Sequence, residues 1–288
     1  MKQSSQIFII FYYLIPPFFM ALRCNGLKPI RSSNVSKPYL LEQAARIRRN
    51  SFALPKNSTP TNDNEQYITR IIQEYASPTS LFFPTFYKKA NGGKRGFANY
   101  LLKNRVIIGQ YPGQTPERDG PKLSYVQEHI QTLVSDTNVR LFCSLQSEVP
   151  PQDDTHAWAQ VGGKVYFPIN DGRKDFPEYF GHYAPLVQKA YSSLQKSYNN
   201  DEDIHRKSTS SGYSSRCEPP SYIHAPILDL NTPSSSSLYA TLSILLQTLE
   251  DNPGCAIYIH CWGGRGRAGL IGACLLSLIF PELNASHI

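Results

Sequence analysis

The sequence predicts an α/β fold whose core is a largely parallel sheet flanked by helices. Short runs of β-branched and other apolar residues alternate with stretches in which apolar residues recur every three or four positions. Strands that alternate with helices in this way form β-α-β units, which place the strands parallel to one another. The hydrophobic content of 41% is sufficient for a core, and 22 prolines and 18 glycines predict extensive loops.

The predicted strands are short apolar runs that end at turn-forming residues. The first stops at Gly109, and the third ends at the turn sequence Asn170-Asp171-Gly172. The last is apolar throughout, as expected of a strand that is covered on both faces. In chain order the predicted strands cover residues 105–109, 139–145, 164–169, 222–228 and 255–259.

The predicted helices show apolar periodicity, or unbroken apolar character, between helix-breaking residues. Leucines at three- and four-residue spacing mark residues 238–250, and Pro253-Gly254 follows that helix. The helix over residues 270–279 is apolar on all sides and therefore needs partners all round it. Further helices are expected at residues 66–75, 124–134 and 183–198.

Three regions are expected along the 288 residues. Residues 1–22 form a signal-like hydrophobic segment, whose apolar run is short for a membrane span. Residues 23–98 form a basic targeting or linker region that is expected to be largely disordered. Together they predict delivery to the secretory pathway or an organelle, with an uncleaved membrane anchor or a mis-assigned start codon as alternatives. Residues 99–288 form the folded domain, with a low-complexity insertion near 199–220.

Charge and cysteine usage exclude several classes of function. Part of the net charge of +7 is concentrated between residues 23 and 60, so it is weak evidence for a nucleic-acid partner, and none is expected. The six cysteines include no Cys-x-x-Cys pair and no histidine at zinc-site spacing, so neither a structural metal nor another cofactor is expected. Cys143, Cys255 and Cys274 lie in apolar runs and are expected in the core.

The most informative segment joins the last predicted strand to the last predicted helix. It reads His260-Cys261-Trp262-Gly263-Gly264-Arg265-Gly266-Arg267. A strand, a glycine-rich turn and a helix N-terminus in this order form an anion site, because backbone N–H groups converge there and the helix dipole is positive. The three glycines let the backbone wrap closely round a phosphate. Trp262 and Arg265 flank the site and are candidates for contact with the bound group, with plain loop surface as the alternative.

Two side chains of this loop suit phosphoryl chemistry. Cys261 stands at the mouth of the loop, where the amides and the nearby arginine favour the thiolate over the thiol. A thiolate held beside a phosphoryl group can attack it and form a covalent intermediate. Arg267, six residues later, can hold two phosphate oxygens with its planar guanidinium group and compensate charge in the transition state.

This Cys-x5-Arg loop, with its preceding His260, resembles that of the protein tyrosine phosphatase superfamily in its dual-specificity-like branch. The resemblance covers about residues 99–284 and includes residues 104–113 and 142–146 besides the loop. It implies the fold of that family and hydrolysis of a phosphomonoester through phosphocysteine at Cys261. It also implies that the ring of His260 points toward the loop backbone and supports the thiolate, without acting as acid or base.

The mechanism of that family also needs an upstream aspartic acid that protonates the leaving oxygen. Two segments look like the family's Pro-Ile-x-Asp pattern, and they end at Asp229 and Asp171. Asp229 precedes Cys261 by 32 residues, which is room for one loop, one helix and the strand, as in the family. Asp229 is therefore preferred, and Asp171, which lies 90 residues before Cys261, is the alternative acid. A role in capping a turn is the other interpretation of Asp229.

The chain departs from the family pattern at two points. Most family members have Ser or Thr directly after the loop arginine, where the hydroxyl stabilises the departing thiolate, but here the residue is Ala268. This difference predicts slower breakdown of the intermediate. The chain also stops at Ile288, where the family has further helices, and this predicts a truncated C-terminus.

Several functions stay open at this point. The substrate is a phosphotyrosine or phosphoserine protein or a phosphoinositide, and the second loop cation, Arg265, suits the latter. The N-terminal segment allows membrane contact. A catalytically weak module that binds a phospho-ligand is the main alternative function, because of Ala268 and the short C-terminus. An enzyme of the rhodanese or arsenate-reductase kind ranks third.

Overall fold

The computed structural model describes residues 35–51, 80–81, 98–116, 123–167, 179–205, 218–281 and 283. The signal-like segment over residues 1–22, the helix expected at 66–75 and most of the insertion near 199–220 lie outside these ranges. The boundaries of the three regions therefore stay predictions.

Six α-helices and eight strands occur in the described residues. The helices are α1 (Lys37–Ser51), α2 (Leu123–Gln131), α3 (Thr155–Gln160), α4 (Ala184–His205), α5 (Ser235–Asp251) and α6 (Gly266–Ile279). The strands are β1 (Ser80–Leu81), β2 (Ala98–Leu102), β3 (Val106–Gly109), β4 (Val139–Gln146), β5 (Lys164–Tyr166), β6 (Tyr179–Gly181), β7 (Ser221–Ile227) and β8 (Ala256–His260). None of these described helices has both the length and the apolar character that crossing a membrane requires.

The main sheet has the strand order β1-β2-β3-β8-β4-β7. Strands β3, β8, β4 and β7 run parallel, whereas β1 and β2 extend one edge by antiparallel pairing. The prediction of an α/β fold with a mostly parallel central sheet is thereby confirmed. Because the four parallel strands end at the same edge, the loops that follow them converge there, and the segment after β8 is one of these loops.

One predicted strand does not belong to the main sheet. The run predicted over residues 164–169 forms β5, which ends at Tyr166 and pairs with β6 in a separate antiparallel sheet. Its side chains are exposed or half-buried, so it lacks the cover on both faces that a strand of the parallel sheet receives.

The buried side chains form two clusters, one on each face of the main sheet. Side chains of β4 alternate between them, with Leu141 and Cys143 in the first cluster and Phe142 in the second. Helices α1, α5 and α6 cover the first face, and α2 and α4 cover the second. Cys143 is a core residue, as predicted, whereas Cys255 and Cys274 are only half-buried.

Helix α1 lies in the region 23–98, which the sequence predicts to be largely disordered, and the structure corrects this expectation over Lys37–Ser51. Its buried residues Leu40, Ala44 and Ile47 join the first core cluster against α5 and α6. Polar contacts align the pair of helices, because Arg46 Nε donates to Glu250 Oε1 at 2.8 Å. The all-apolar helix α6 therefore has a partner that precedes it in the chain.

Truncation of Leu40 should show that α1 is an integral part of the folded domain. Leu40 is 1% exposed and Leu41 is 41% exposed, although both stand on the same helix. Loss of a buried leucine side chain costs about 2–5 kcal/mol. We expect Leu40→Ala to lower the free energy of unfolding in urea by about this amount, and the matched Leu41→Ala to change it by less than about 1 kcal/mol. Equal effects in both variants would contradict the docking of α1.

Candidate active site

The loop between β8 and α6 is held against the end of β3. The backbone N–H of Tyr111 donates to the carbonyl of Trp262 at 3.0 Å. Gly264 has a φ of +73°, and a Cβ on it would lie 2.3 Å from the carbonyl carbon of Gly109. Only glycine fits here, because other residues avoid this φ and no room exists for a side chain. An added Cβ on Gly263 or Gly266 meets nothing within 4 Å, so the steric requirement for glycine lies at one position rather than three.

Cys261 is the first residue after β8 and is 3% exposed. Helix α6 begins five residues later at Gly266, and Arg265 occupies its N-cap position as an exposed side chain. The strand, turn and helix N-terminus predicted from the sequence are thus present in that order. The first backbone N–H groups of α6 would donate hydrogen bonds to an anion bound beside Cys261.

Arg267 lies in the first turn of α6 and is 5% exposed. Its Nη1 donates to Glu148 Oε2 at 2.8 Å and to the carbonyl of Ile227 at 3.0 Å. Burial has the largest single effect and lowers the pKa of the guanidinium group, but the hydrogen bond and charge of Glu148, together with the charges of Cys261 and Asp229, outweigh it, and the pKa is raised. The arginine is therefore charged and fixed in direction before any ligand arrives.

Asp229 lies two residues after β7, on the neighbouring loop. Its Oδ1 is 3.3 Å from Nη2 of Arg267, and its side chain is 58% exposed. Of the two aspartates proposed as the acid, Asp229 is thus placed beside the loop arginine. Asp171 lies outside the described residues.

His260 is fully buried under the loop. Its Nε2 is 2.8 Å from the hydroxyl of Tyr183, which follows β6. Burial, followed by the charge of His224, lowers the pKa of His260 to about 3, so its ring is neutral at neutral pH. A buried neutral ring engaged by tyrosine suits the supporting role expected for His260, rather than that of acid or base.

Trp262 is half-buried and belongs to an aromatic cluster rather than to plain loop surface. Its ring lies 5.1 Å from that of Phe167 and 5.1 Å from that of Phe180, both in edge contact. Phe167 directly follows β5, and Phe180 lies in β6. The cluster joins the loop after β8 to this two-stranded sheet, and aromatic pairs of this geometry stabilise such a junction.

Sequence reasoning missed two residues of the site, Glu148 and Tyr183. Glu148 stands two residues after β4, so its position at the carboxyl edge of the sheet was a usable signal. Tyr183 reaches His260 from 77 positions away in the chain, and no local pattern marks it. Ala268 is fully buried beside Arg267, and it offers no hydroxyl at the position where the family has one.

The fold and the loop together define a class, that of α/β proteins with a Cys-x5-Arg loop at the carboxyl edge of a mostly parallel sheet. Comparison with known proteins finds a family that is similar over part of the chain. Residues 207–284 match the family described as "Swiss Army Knife protein, DSP-PTPase phosphatase domain". This segment includes β7, Asp229, α5, β8, the loop and α6. The similarity over this segment supports a likeness to phosphatase domains of the dual-specificity kind.

A viral protein shares part of this sequence. Over 61 residues the chain is 43% identical to the "Putative tyrosine phosphatase 067L" of Invertebrate iridescent virus 3. The similar stretch covers 20% of this chain and 25% of the viral protein. The chain thus matches about a quarter of the length of that relative.

Proposed function

We propose that the protein hydrolyses a phosphomonoester through a phosphocysteine intermediate at Cys261. The observation that carries the proposal is the position of Cys261 in the loop that leads into α6. The guanidinium of Arg267 is fixed in the first turn of that helix, and Asp229 Oδ1 lies 3.3 Å from Nη2 of Arg267. Phosphorylated proteins and phosphoinositides are the substrates that the family resemblance suggests. No cofactor takes part in this mechanism.

In the first step the thiolate of Cys261 attacks phosphorus, and a P–S bond forms while the P–O bond to the leaving group breaks. Amides of residues 263–267 and the guanidinium of Arg267 bind the three remaining phosphoryl oxygens, where negative charge accumulates. The protonated carboxyl of Asp229 gives its proton to the leaving oxygen, which departs as an alcohol or phenol.

In the second step water attacks phosphorus, the P–S bond breaks, and the carboxylate of Asp229 takes the proton from that water. Inorganic phosphate is released and the thiolate is regenerated. Asp229 must leave Arg267 to serve both steps, and because its side chain is 58% exposed, its carboxylate stays hydrated when this contact breaks. A phosphoryl dianion in the loop therefore displaces its carboxylate from Arg267 at little cost.

Glu148 supports this mechanism by holding Arg267. Its carboxylate accepts from Nη1 at 2.8 Å with side chains that are 5% and 10% exposed. A buried, charge-assisted hydrogen bond of this kind fixes direction better than an exposed pair. The guanidinium is thus held in one orientation before the phosphoryl group binds. Binding therefore costs less side-chain conformational entropy.

Rapid-quench release of phenol from phenyl phosphate tests the proposal with the full chain. We expect a burst of one phenol per protein, followed by a slower steady rate that reports hydrolysis of phosphocysteine. Asp229→Asn should slow the burst about a hundredfold, because general acid catalysis contributes at least this much. Asp153→Asn, at an exposed aspartate of another loop, is the matched control and should leave the burst unchanged. A linear time course with no burst, or equal rates in both variants, would refute the proposal.

A catalytically weak phospho-binding module is the second candidate function, and buried Ala268 is the observation that favours it. For such a module the steady rate of phenol release would be close to zero after one full burst, whereas the first candidate function predicts a measurable steady rate. In the same experiment Ala268→Ser should then raise the steady rate and leave the burst unaltered, whereas Ala273→Ser on the same helix should change neither.

A further inference from the structure

A second cysteine, Cys255, lies at the opposite end of β8 from Cys261. Cys255 directly precedes the first residue of the strand, whereas Cys261 directly follows the last. Cys255 carries its sulfur as a thiol and is half-buried. Its Sγ lies 4.0 Å from Nδ2 of Asn138, and its charge acts on the guanidinium group of Arg105. An amide donor and a nearby cation favour the thiolate, which is the reactive form of cysteine.

Arg105 is a buried arginine that pairs with no carboxylate of the described residues. It is 8% exposed, and its Nη atoms donate to two backbone carbonyls at the end of α5. The ion pairs in this part of the chain are made by Arg46 and Arg267 instead. Burial lowers the pKa of Arg105, and the charge of Cys255 opposes this effect. A buried charge is costly without a counter-ion, so Arg105 favours negative charge on the Cys255 sulfur.

Cys255 lines a cavity of about 660 Å³. This volume is in the range of cavities that hold small organic ligands. The cavity lies where β4, β7 and β8 begin, and its wall includes Thr248 and Asn252 at the end of α5. A group attached to the sulfur of Cys255 therefore has space to occupy within the protein.

Arg140, on β4, is a second buried arginine and lines the same cavity. It is 5% exposed. Its Nη1 donates to the carbonyls of Val134 and Val139 at 2.9 and 2.8 Å, but its buried Nε has no hydrogen-bond partner. It is also absent from the ion pairs that the described side chains form. A buried donor without a partner costs free energy, and a carboxylate is among the strongest acceptors for a guanidinium group.

The exposed part of the cavity wall carries the opposite charge. Asp153, Glu218 and Asp251 line the cavity and are exposed. The described residues of the wall include no lysine, and burial lowers the pKa of His182, which is therefore neutral at neutral pH. A ligand with a carboxylate at its buried end and an ammonium group at its exposed end matches these charges. Amino-acid-like thiols carry both groups.

We infer that Cys255 is a thiolation site that reacts with disulfides of amino-acid-like thiols, such as oxidised glutathione, and that Arg140 binds a carboxylate of the attached group. The thiolate of Cys255 attacks one sulfur of the disulfide, so that a new S–S bond forms while the original S–S bond breaks. Cys255 is oxidised, and the departing sulfur is reduced and takes a proton from water. This inference does not rest on the proposed function, because Cys261 takes no part in the reaction.

Mass spectrometry of the full chain, first reduced and then incubated with oxidised glutathione, tests the inference. Peptide mapping gives the rate at which each cysteine gains a glutathionyl group. We expect Cys255 to react at least about tenfold faster than Cys274, because thiolate character controls this rate. Cys274 is the matched reference, since it is also half-buried but burial raises its pKa.

Arg140→Gln separates recognition of the ligand from reactivity of the thiol. It should slow the reaction of Cys255 with oxidised glutathione about tenfold, because a charge-assisted hydrogen bond is lost. The reaction of Cys255 with bis(2-hydroxyethyl) disulfide, which carries no charge, should keep its rate. Lys196→Gln, at an exposed lysine of α4, is the matched control and should alter neither rate.

Three results would overturn the inference. The first is a Cys255 that reacts no faster than Cys274, and the second is an internal disulfide at Cys255 in place of the glutathionyl group. The third is an Arg140→Gln variant that slows both disulfides equally or slows neither. None of these results bears on the release of phenol, so the proposed function stands or falls separately.

Discussion

Cys261→Ser is expected to abolish turnover of aryl phosphates, with a loss on the order of a thousandfold or more, because a serine hydroxyl is a weak nucleophile without an adjacent base. The histidine next to it in sequence does not supply one, since His260 is buried with its Nε2 engaged by Tyr183 at 2.8 Å. Serine differs from cysteine by one atom, so the loop should keep its shape. The variant should therefore retain affinity for inorganic phosphate.

Initial rates of phenol release and calorimetric titration with phosphate measure the two properties separately. Cys274→Ser is the matched control, because Cys274 is a half-buried cysteine of α6 that the mechanism does not use. It should keep close to the full rate. Residual activity of more than about one tenth in Cys261→Ser would exclude Cys261 as the nucleophile, because such a loss equals only about 1.4 kcal/mol.

Gly264→Ala is expected to have the second-largest effect, on both stability and activity. The added Cβ would lie 2.3 Å from the carbonyl carbon of Gly109 and 2.5 Å from the backbone nitrogen of Gln110. Both atoms belong to the backbone at the end of β3, so they cannot move aside without disturbing the sheet. The φ of +73° adds strain for any residue with a side chain.

We expect Gly264→Ala to lower the free energy of unfolding by about 3 kcal/mol or more, since clashes and backbone strain are among the most destabilising kinds of change. It should also reduce the burst of phenol, because the loop amides lose their common direction. Gly263→Ala is the matched control: its Cβ would enter open space, and urea unfolding should show a change below about 1 kcal/mol. Similar midpoints for both variants would contradict the close packing of the loop against β3.

The order of β8, the loop and α6 could be predicted because these three elements are adjacent in the chain. The apolar strand, the three glycines and the apolar helix stand next to one another in the chain, and each has a distinct pattern. The parallel sheet followed from the alternation of strands and helices. By contrast, α1 was not predicted, because its basic composition conceals three buried apolar residues that have a role only once α5 and α6 are placed against them.

The positions of Glu148 and Tyr183 depend on the tertiary structure for the same reason. Glu148 reaches Arg267 across 119 positions, and Tyr183 reaches His260 across 77. Hydrogen bonds over such separations depend on strand order, which periodicity along one segment does not encode.

The sequence alone therefore predicted the loop between β8 and α6 and the class of fold, because the cysteine, the glycine turn and the helix N-terminus lie within eight consecutive residues. The tertiary structure decided which groups surround that loop. It set Glu148 and Asp229 against Arg267, Tyr183 against His260, and β3 against Gly264. These contacts arise where the parallel strands end together, and that edge exists only after the sheet has formed.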